Sequence, residues 1–116
     1  MRVIVFGRDR VTQMLASSLA KSGIEVVGTS DCSSVIGLLA GEKCGLAVVD
    51  SLMEEAQATC RCIRELCDTR VVALVSREHV SWEKADSLEC DGYVCEEMGP
   101  VELAARIKAV IRCWAC

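Results

Sequence analysis

Aromatic residues are scarce in this sequence. Only Phe6, Trp82, Tyr93 and Trp114 are aromatic, although 52% of the 116 residues are hydrophobic. The core must therefore be built mainly from Val, Leu, Ile, Ala and Cys. The length fits one domain, residues 1–116, which is long enough to enclose a single core.

The sequence also lacks clustered basic residues and long apolar runs. Its formal net charge is −4, and we expect no direct nucleic-acid binding, because that needs Lys and Arg clustered against phosphates. No apolar stretch reaches the ~18 residues of a membrane-spanning helix. The opening residues, MRVIVFGRDR, become charged too soon for a signal peptide and indicate a first strand. These absences predict a cytoplasmic protein.

Histidine occurs once, at position 79. One histidine in a single sequence gives no Ser–His–Asp or Cys–His constellation, so we expect His79 to be an exposed loop residue. Trp82 lies in the weakest predicted helix and is either a partly covered surface aromatic or an anchor of an interface. No residue pattern predicts a catalytic site, and we expect that the chain is not an enzyme.

Cysteine, in contrast, is abundant, with nine residues. The odd number argues against a closed disulfide framework. Cys44, Cys60, Cys67 and Cys90 fall close to apolar positions, which predicts small buried hydrophobes in a reducing compartment. The spacings CRC, at positions 60 and 62, and CWAC, at positions 113 and 116, leave a thiol-based redox or metal sensor as an alternative. A structural zinc site, however, usually has two such pairs.

Short apolar, β-branched segments alternate along the chain with amphipathic segments. The predicted strands are residues 2–6, 24–28, 45–50, 70–76 and 91–95. The predicted helices run from a cap at Asp9 to Gly23, from a cap at Ser30 or Asp31 to Gly41, and over 54–67, 78–89 and 99–114. Five strand–helix units with short loops predict a parallel sheet covered by helices on both faces.

Ligands of such sheets bind at the carboxyl ends of the strands. The polar or small residues expected at those ends are Gly7, Arg8, Asp9, Asp50, Ser76, Glu96 and Glu97. Asp50 is the most conspicuous of them, because it ends a continuous apolar run, LAVVD. This position brings one carboxylate to the edge of the sheet.

The whole chain resembles a receiver domain, the phospho-acceptor module of two-component response regulators. LAVVDSLM is similar to the family's third strand, Ser76 and Tyr93 match its hydroxyl and switch-aromatic positions, and GPVELAARIKAVIR looks like its last helix. The resemblance implies an α/β, flavodoxin-like (βα)5 fold with a doubly wound, parallel five-stranded sheet of order 2-1-3-4-5. It makes Asp50 the candidate phospho-acceptor.

The departures from the family lie at this site. Gly7 and Arg8 stand where the family keeps two adjacent acids that hold Mg²⁺, and Glu96 stands where it keeps a Lys. Only Asp50 and Asp9 remain as weak candidate metal ligands, so we expect no cofactor and no Mg²⁺. We expect Arg8 to pair with Asp50. The chain would then be an atypical receiver, or pseudo-receiver, whose state is set by a partner or not switched at all.

Two further expectations concern partners and a rival fold family. The resemblance implies a partner protein, such as a sensor kinase or an output domain, and a homodimer through the helix at 78–89, the last strand and the last helix. The first 31 residues are also similar to a dinucleotide-binding unit with Asp31 as the ribose acid. That fingerprint needs glycine at positions 9 and 12, where Asp9 and Thr12 stand.

Overall fold

The computed structural model describes residues 2–41, 46–66, 69–76, 88 and 90–114. The predicted helix at 78–89 therefore lies outside the described residues apart from Leu88, and so do the predictions for His79 and Trp82. Cys44, Cys67 and Cys116 lie outside them as well, so the prediction for the C-terminal CWAC pair does too.

Five parallel strands form one sheet. They are β1 (Arg2–Phe6), β2 (Glu25–Thr29), β3 (Leu46–Asp50), β4 (Val71–Val75) and β5 (Gly92–Cys95). Their order is β2-β1-β3-β4-β5, and every neighbouring pair is parallel. The predicted flavodoxin-like fold and strand order are confirmed. Strand order reverses between β1 and β3, which places the crevice beside the carboxyl ends of these two strands.

Four described helices connect or follow the strands. They are α1 (Asp9–Ala20), α2 (Cys32–Gly41), α3 (Ala56–Leu66) and α4 (Pro100–Trp114), the last of which is the predicted helix at 99–114. Helix α3 begins two residues later than predicted, because residues 51–55 form turns in which the amide of Met53 bonds the carbonyl of Asp50. A short 3₁₀ helix, η1 (Glu96–Met98), was not predicted.

The observed N-cap of α1 differs from the predicted one, and the observed N-cap of α2 decides between the two predicted candidates. Asp9 was expected to cap α1, but Arg8 occupies the N-cap position and Asp9 is the first helical residue. An acid there still faces the positive end of the helix dipole. At α2 the cap is Asp31 and not Ser30, because the carboxylate of Asp31 accepts the amide of Ser33 at 3.2 Å. The hydroxyls of Ser33 and Ser34 also bond this carboxylate and hold the pKa of Asp31 below its usual value.

Alternate residues of the buried strands supply two apolar cores, one on each face of the sheet. The first core packs α1 and α4 against the sheet through Val3, Val5, Val11, Leu15, Leu19, Leu46, Val48, Val72, Leu74, Val94, Leu103, Ala104, Ile107 and Ile111. The second packs α2 and α3 against it through Ile4, Phe6, Val35, Leu39, Ala47, Val49, Ala56, Cys60, Ile63, Val71, Ala73 and Leu88. Phe6 is the one aromatic residue in these two sets, in agreement with the aliphatic core expected from composition.

Five cysteines with described side chains, Cys32, Cys60, Cys62, Cys90 and Cys95, form no disulfide in the part of the chain that the structure describes. Cys60 is fully buried in the second core, and Cys90 packs against it, as expected for small hydrophobes. Among the described residues, no group of three His, Cys, Asp or Glu side chains is placed to hold a metal ion. No helix in the described part of the chain is long and apolar enough to cross a membrane.

Candidate functional site

Asp50 ends the central strand β3 and lies at the carboxyl edge of the sheet. All five residues of β3 are buried, because β1 and β4 flank the strand and helices cover both faces. The side chain of Asp50 is only 1% exposed. The amide of Leu52, in the following turn, donates to its Oδ1 at 3.1 Å. A buried carboxylate needs further partners, since leaving a buried charge unpaired is costly.

Arg8 supplies those partners from the end of β1. Its Nε donates to Oδ2 of Asp50 at 2.6 Å, its Nη2 lies 3.4 Å from Oδ1, and its backbone amide lies 3.3 Å from Oδ2. The ion pair expected from the sequence is therefore present, and both carboxylate oxygens of Asp50 are engaged. The side chain of Arg8 is 32% exposed, so the guanidinium lies between Asp50 and the surface.

The same guanidinium also binds Glu96, the first residue of η1. Nη2 of Arg8 donates to Oε2 of Glu96 at 2.8 Å, and Arg10 from α1 binds Oε1. Burial alone would raise the pKa of Glu96, but the hydrogen bonds and charges of the two arginines outweigh it and lower that pKa. For Arg8, burial acts to lower the pKa, and its two carboxylate partners raise it instead. Both groups are thus held in their charged forms.

Gly7 provides the space in which Asp50 and Arg8 meet. A Cβ atom at position 7 would lie 2.8 Å from Cβ of Asp50 and 3.4 Å from its Oδ2, so a side chain there would displace the carboxylate. The amide of Gly7 continues the pairing with β2 by donating to the carbonyl of Thr29. The absence of a side chain at position 7 is therefore a condition for the observed position of Asp50.

Ser76 and Tyr93 lie on neighbouring strands but take different positions. Ser76, directly after β4, is buried, and its hydroxyl donates to Oε1 of Glu97 at 3.3 Å. The thiol of Cys95 lies 3.9 Å from the same oxygen. Tyr93, on β5, is 45% exposed. Glu97 thus joins the end of β4 to the residues that follow β5.

The residues at this edge do not fit a Mg²⁺ ion. Such an ion needs several oxygen ligands in near-octahedral geometry, whereas the guanidinium of Arg8 occupies the approach to both oxygens of Asp50. Asp9, the second weak candidate, is exposed in the first turn of α1 and makes no hydrogen bond or ion pair with Arg8 or Asp50. A cation is already present at this position, and it is a side chain.

Arg10 was missed by the sequence analysis, although it contributes a guanidinium to Glu96. Its only signal is the spacing R-D-R, which places two arginines at the start of one helix. Nothing in that spacing identifies an acid 86 residues further along the chain as their shared partner.

The neighbouring crevice gives no support to the dinucleotide hypothesis. A cavity of about 420 Å³ lies beside the carboxyl ends of β1 and β3, and it is lined in part by Asp31, Glu54 and Glu55. These acids would repel a pyrophosphate. In addition, α1 approaches β2 by packing Thr12 on Gly28, where a Cβ would lie 2.1 Å from the Thr12 methyl group. The close approach is made possible by a glycine in β2 and not by the fingerprint glycine in α1.

Comparisons with known proteins agree on one family. No family model matches the chain. The probable transcriptional regulator ycf27 of Galdieria sulphuraria is 30% identical over 114 residues, which cover 95% of this chain and 44% of that protein. The alkaline phosphatase synthesis transcriptional regulatory protein PhoP of Bacillus subtilis (strain 168) is 24% identical over 114 residues, which cover 95% of this chain and 48% of that protein. The chain therefore spans about half the length of these relatives.

The fold is similar to that of solved receiver domains. The receiver domain of the TMAO respiratory system response regulator TorR superposes with a TM-score of 0.79 over 96% of both chains, at 18% identity. A response regulator from Thermotoga maritima superposes with a TM-score of 0.78 over 96% of this chain and 97% of its own, at 23% identity. The sheet order, the carboxylate at the end of β3 and the curated relatives agree: the chain has the fold of the receiver domains of response regulators and is similar to such regulators over 95% of its length.

Proposed function

We propose that this receiver domain is an atypical one, which acts through contacts with other proteins and not through Mg²⁺-dependent phosphorylation of Asp50. The observation that carries the proposal is the 2.6 Å bond from Nε of Arg8 to Oδ2 of Asp50. The proposal concerns the role of this domain within two-component signal transduction.

The ion pair opposes phosphoryl transfer in two ways. A carboxylate that attacks phosphorus must present a free oxygen in line with the leaving group, and both oxygens of Asp50 already accept hydrogen bonds. The transferring group also needs cations that neutralise its oxygens. The guanidinium of Arg8 is instead already bound to a second acid, the carboxylate of Glu96. The guanidinium of Arg8 supplies a single positive charge through hydrogen bonds, and it has no open ligand position for a phosphoryl oxygen, as a bound metal ion would have.

The proposed partners are proteins. Relatives named as transcriptional regulators are about twice as long as this chain, and an output domain or a sensor kinase is the corresponding partner for this domain. A homodimer through β5, α4 and the residues at 78–89, of which only Leu88 is described, is the second route. Tyr93 on β5 is 45% exposed and stands at that face. A strictly monomeric mass at high micromolar concentration would exclude the homodimer.

Amide NMR of the labelled protein tests the proposal directly. Mg²⁺ is added first, followed by beryllofluoride, which mimics an acyl phosphate. We expect no saturable shifts at Asp50, Leu52 or Ser76, because the guanidinium of Arg8 keeps its place on the carboxylate. Incubation with acetyl phosphate should likewise add no phosphoryl mass.

The matched control is the Asp50→Asn variant, which keeps the size of the side chain and removes the reactive carboxylate. Shifts shared by the two proteins come from ions bound elsewhere and agree with the proposal. Saturable shifts around Asp50 and Ser76 in the wild type that vanish in the variant would show a working phospho-acceptor, and the proposal would be abandoned.

A further inference from the structure

We propose that the guanidinium of Arg8 is a built-in substitute for a divalent cation, and that removing it uncovers a metal site between Asp50 and Glu96. This inference rests on the proposed function and explains why the site would not respond to metal. It starts from one contact pattern: a single nitrogen, Nη2 of Arg8, lies 2.8 Å from Oε2 of Glu96 and 3.4 Å from Oδ1 of Asp50.

Two carboxylates thus converge on one cationic atom. They come from different parts of the chain, β3 and the turn after β5, and their side chains are 1% and 11% exposed. Two such poorly hydrated negative charges are not stable side by side without a cation between them. The fold therefore requires positive charge at the position that Nη2 occupies.

The charges also balance as they would with a metal ion. Arg8 and Arg10 together contribute two positive charges, against one negative charge each from Asp50 and Glu96. A divalent ion would supply the same charge at one point. Arg8 takes the central place and Arg10 binds the outer oxygen of Glu96, so removing Arg8 alone leaves one of the two negative charges uncompensated and open to a bound cation.

The space left by Arg8 is suitable for an ion. If the side chain is truncated, Oε2 of Glu96 and both oxygens of Asp50 lose their guanidinium partner, while Arg10 remains on Oε1. An ion centred near Nη2 would require the two carboxylate oxygens to move inward by about 1 Å or less to reach bonds of ~2.3–2.6 Å, and water would complete the shell. Carboxylate and water ligands suit Mg²⁺, Ca²⁺ and Mn²⁺.

In the experiment, Mn²⁺ is added as the probe to the Arg8→Ser variant, in which the proposed site is uncovered. Paramagnetic broadening of amide signals locates the ion, and the thermal midpoint measures its effect on stability. We expect saturable broadening centred on Asp50, Leu52 and Glu96, and a rise in the midpoint with Mn²⁺ up to about 10 mM, above the ~1 mM range of weak carboxylate sites. The wild type should show neither effect at this edge.

Two kinds of variant make the outcome specific. Arg8→Ser/Glu96→Gln and Arg8→Ser/Asp50→Asn each lack one carboxylate and should bind Mn²⁺ at least about tenfold more weakly. Arg64→Ser removes an arginine from Asp91, a carboxylate that has two arginine partners but no second carboxylate described beside it. That variant should gain no site, which separates the effect of two convergent acids from the loss of any arginine.

The failure of this inference is distinguishable from that of the proposed function. Weak carboxylate sites are filled at about 10 mM Mn²⁺. If Arg8→Ser then shows no broadening at Asp50 and Glu96, or stays unfolded, the idea that Arg8 replaces a cation is refuted. The titration of the wild type with Mg²⁺ still decides the proposed function in that case. Equal affinity in Arg8→Ser and Arg8→Ser/Glu96→Gln would refute the idea that Arg8 replaces a cation as well. Saturable Mg²⁺ shifts at Asp50 in the wild type would instead overturn the proposed function.

Discussion

Two clusters of arginines and acids stand at opposite edges of the same sheet. The carboxyl-edge cluster consists of Arg8, Arg10, Asp50 and Glu96. The amino-edge cluster consists of Arg64, Arg70 and Asp91, where the Asp91 carboxylate lies 3.1 and 3.7 Å from the two guanidinium groups. Their residue types are the same, but their arrangements differ.

The amino-edge cluster is a structural contact that fixes the start of two strands. Asp91 precedes β5, and its Oδ2 accepts the amide of Val71, the first residue of β4, at 2.9 Å, while its own amide donates to the Val71 carbonyl. The side chains of Arg64 and Arg70 are 41% and 54% exposed, so their charges are well hydrated. Such pairs contribute little free energy to stability.

The carboxyl-edge cluster has the opposite balance. Asp50 is almost fully covered, Arg8 is two-thirds covered, and one guanidinium serves two acids. A buried acid with a single covering arginine depends on that arginine far more strongly than an acid that is shared by two exposed arginines. The comparison indicates that burial and the ratio of acids to arginines, and not the presence of ion pairs, distinguish the candidate site from a structural contact.

The largest expected effect is on the free energy of unfolding, and it compares one arginine from each cluster. Arg8→Ser, measured by urea unfolding in the presence of a metal chelator, should lose about 3 kcal/mol of unfolding free energy, because a buried carboxylate is left uncompensated. Arg64→Ser should lose less than about 1 kcal/mol, because Arg64 is exposed and Asp91 keeps Arg70 and the Val71 amide. Similar losses in the two variants would show that the two edges do not differ energetically.

A second prediction compares the glycine beside each cluster. Gly7→Ala places a Cβ 2.8 Å from Cβ of Asp50 and should cost about 1–3 kcal/mol, the range for overpacking a filled site. A Cβ atom added at Gly92, which follows Asp91, would meet no heavy atom within 4 Å among the described residues around it. Gly92→Ala should therefore be neutral or stabilise by up to about 1 kcal/mol. A stable Gly7→Ala protein with unchanged Asp50 and Leu52 amide shifts would contradict the tight fit.

The sequence predicted the parts of this comparison that follow from periodicity. Short apolar runs identified all five strands to within one residue at each end. The signal is clearest for β1, β3 and β4, which are buried along most or all of their length. The placement of Asp50 beside Arg8 needed the strand order 2-1-3-4-5, which the resemblance to receiver domains implied, together with the rule that the carboxyl ends of adjacent parallel strands meet.

Other features depend on contacts that no local pattern encodes. The meeting of Arg10 with Glu96 depends on the three-residue turn η1, which is too short to leave a periodic signal. Asp91 was predicted only as the first residue of the last strand, and its role depends on Arg64 from another element. Asp9 suits an N-cap position by residue type, yet Arg8 occupies it without a side-chain cap bond, and its side chain lies on Asp50 instead.

The smallest expected effect concerns pH, and it compares Glu96 with Asp91. At both residues burial acts to raise the pKa and is outweighed by hydrogen bonds and charges, from Arg8 and Arg10 at Glu96, and from the Val71 amide and the arginines at Asp91. A carboxyl whose pKa is lower in the folded than in the unfolded protein contributes stability above its unfolded pKa, about 4.3 for Glu and 3.9 for Asp. That contribution is lost as the pH falls through the folded-state pKa.

Urea unfolding of the wild type, Glu96→Gln and Asp91→Asn between pH 7 and pH 2.5 measures both contributions. The unfolding free energy of each variant should stay a constant amount below the wild type from pH 7 to about 5, and each gap should narrow below about pH 4.3 or 3.9, as the wild-type acid takes up its proton. Asp31, whose pKa is also lowered, is present in all three proteins and cancels in the differences. When Glu96 becomes neutral, Arg8 still has Asp50, whereas Asp91 is the acid on which Arg64 and Arg70 both converge. As Glu96 takes up its proton, the carboxyl edge should therefore lose less structure than the amino edge loses when Asp91 does, seen as retained Asp50 and Leu52 amide shifts near pH 3. A difference between the wild type and Glu96→Gln that narrows already above pH 6 would disprove the lowered pKa of Glu96.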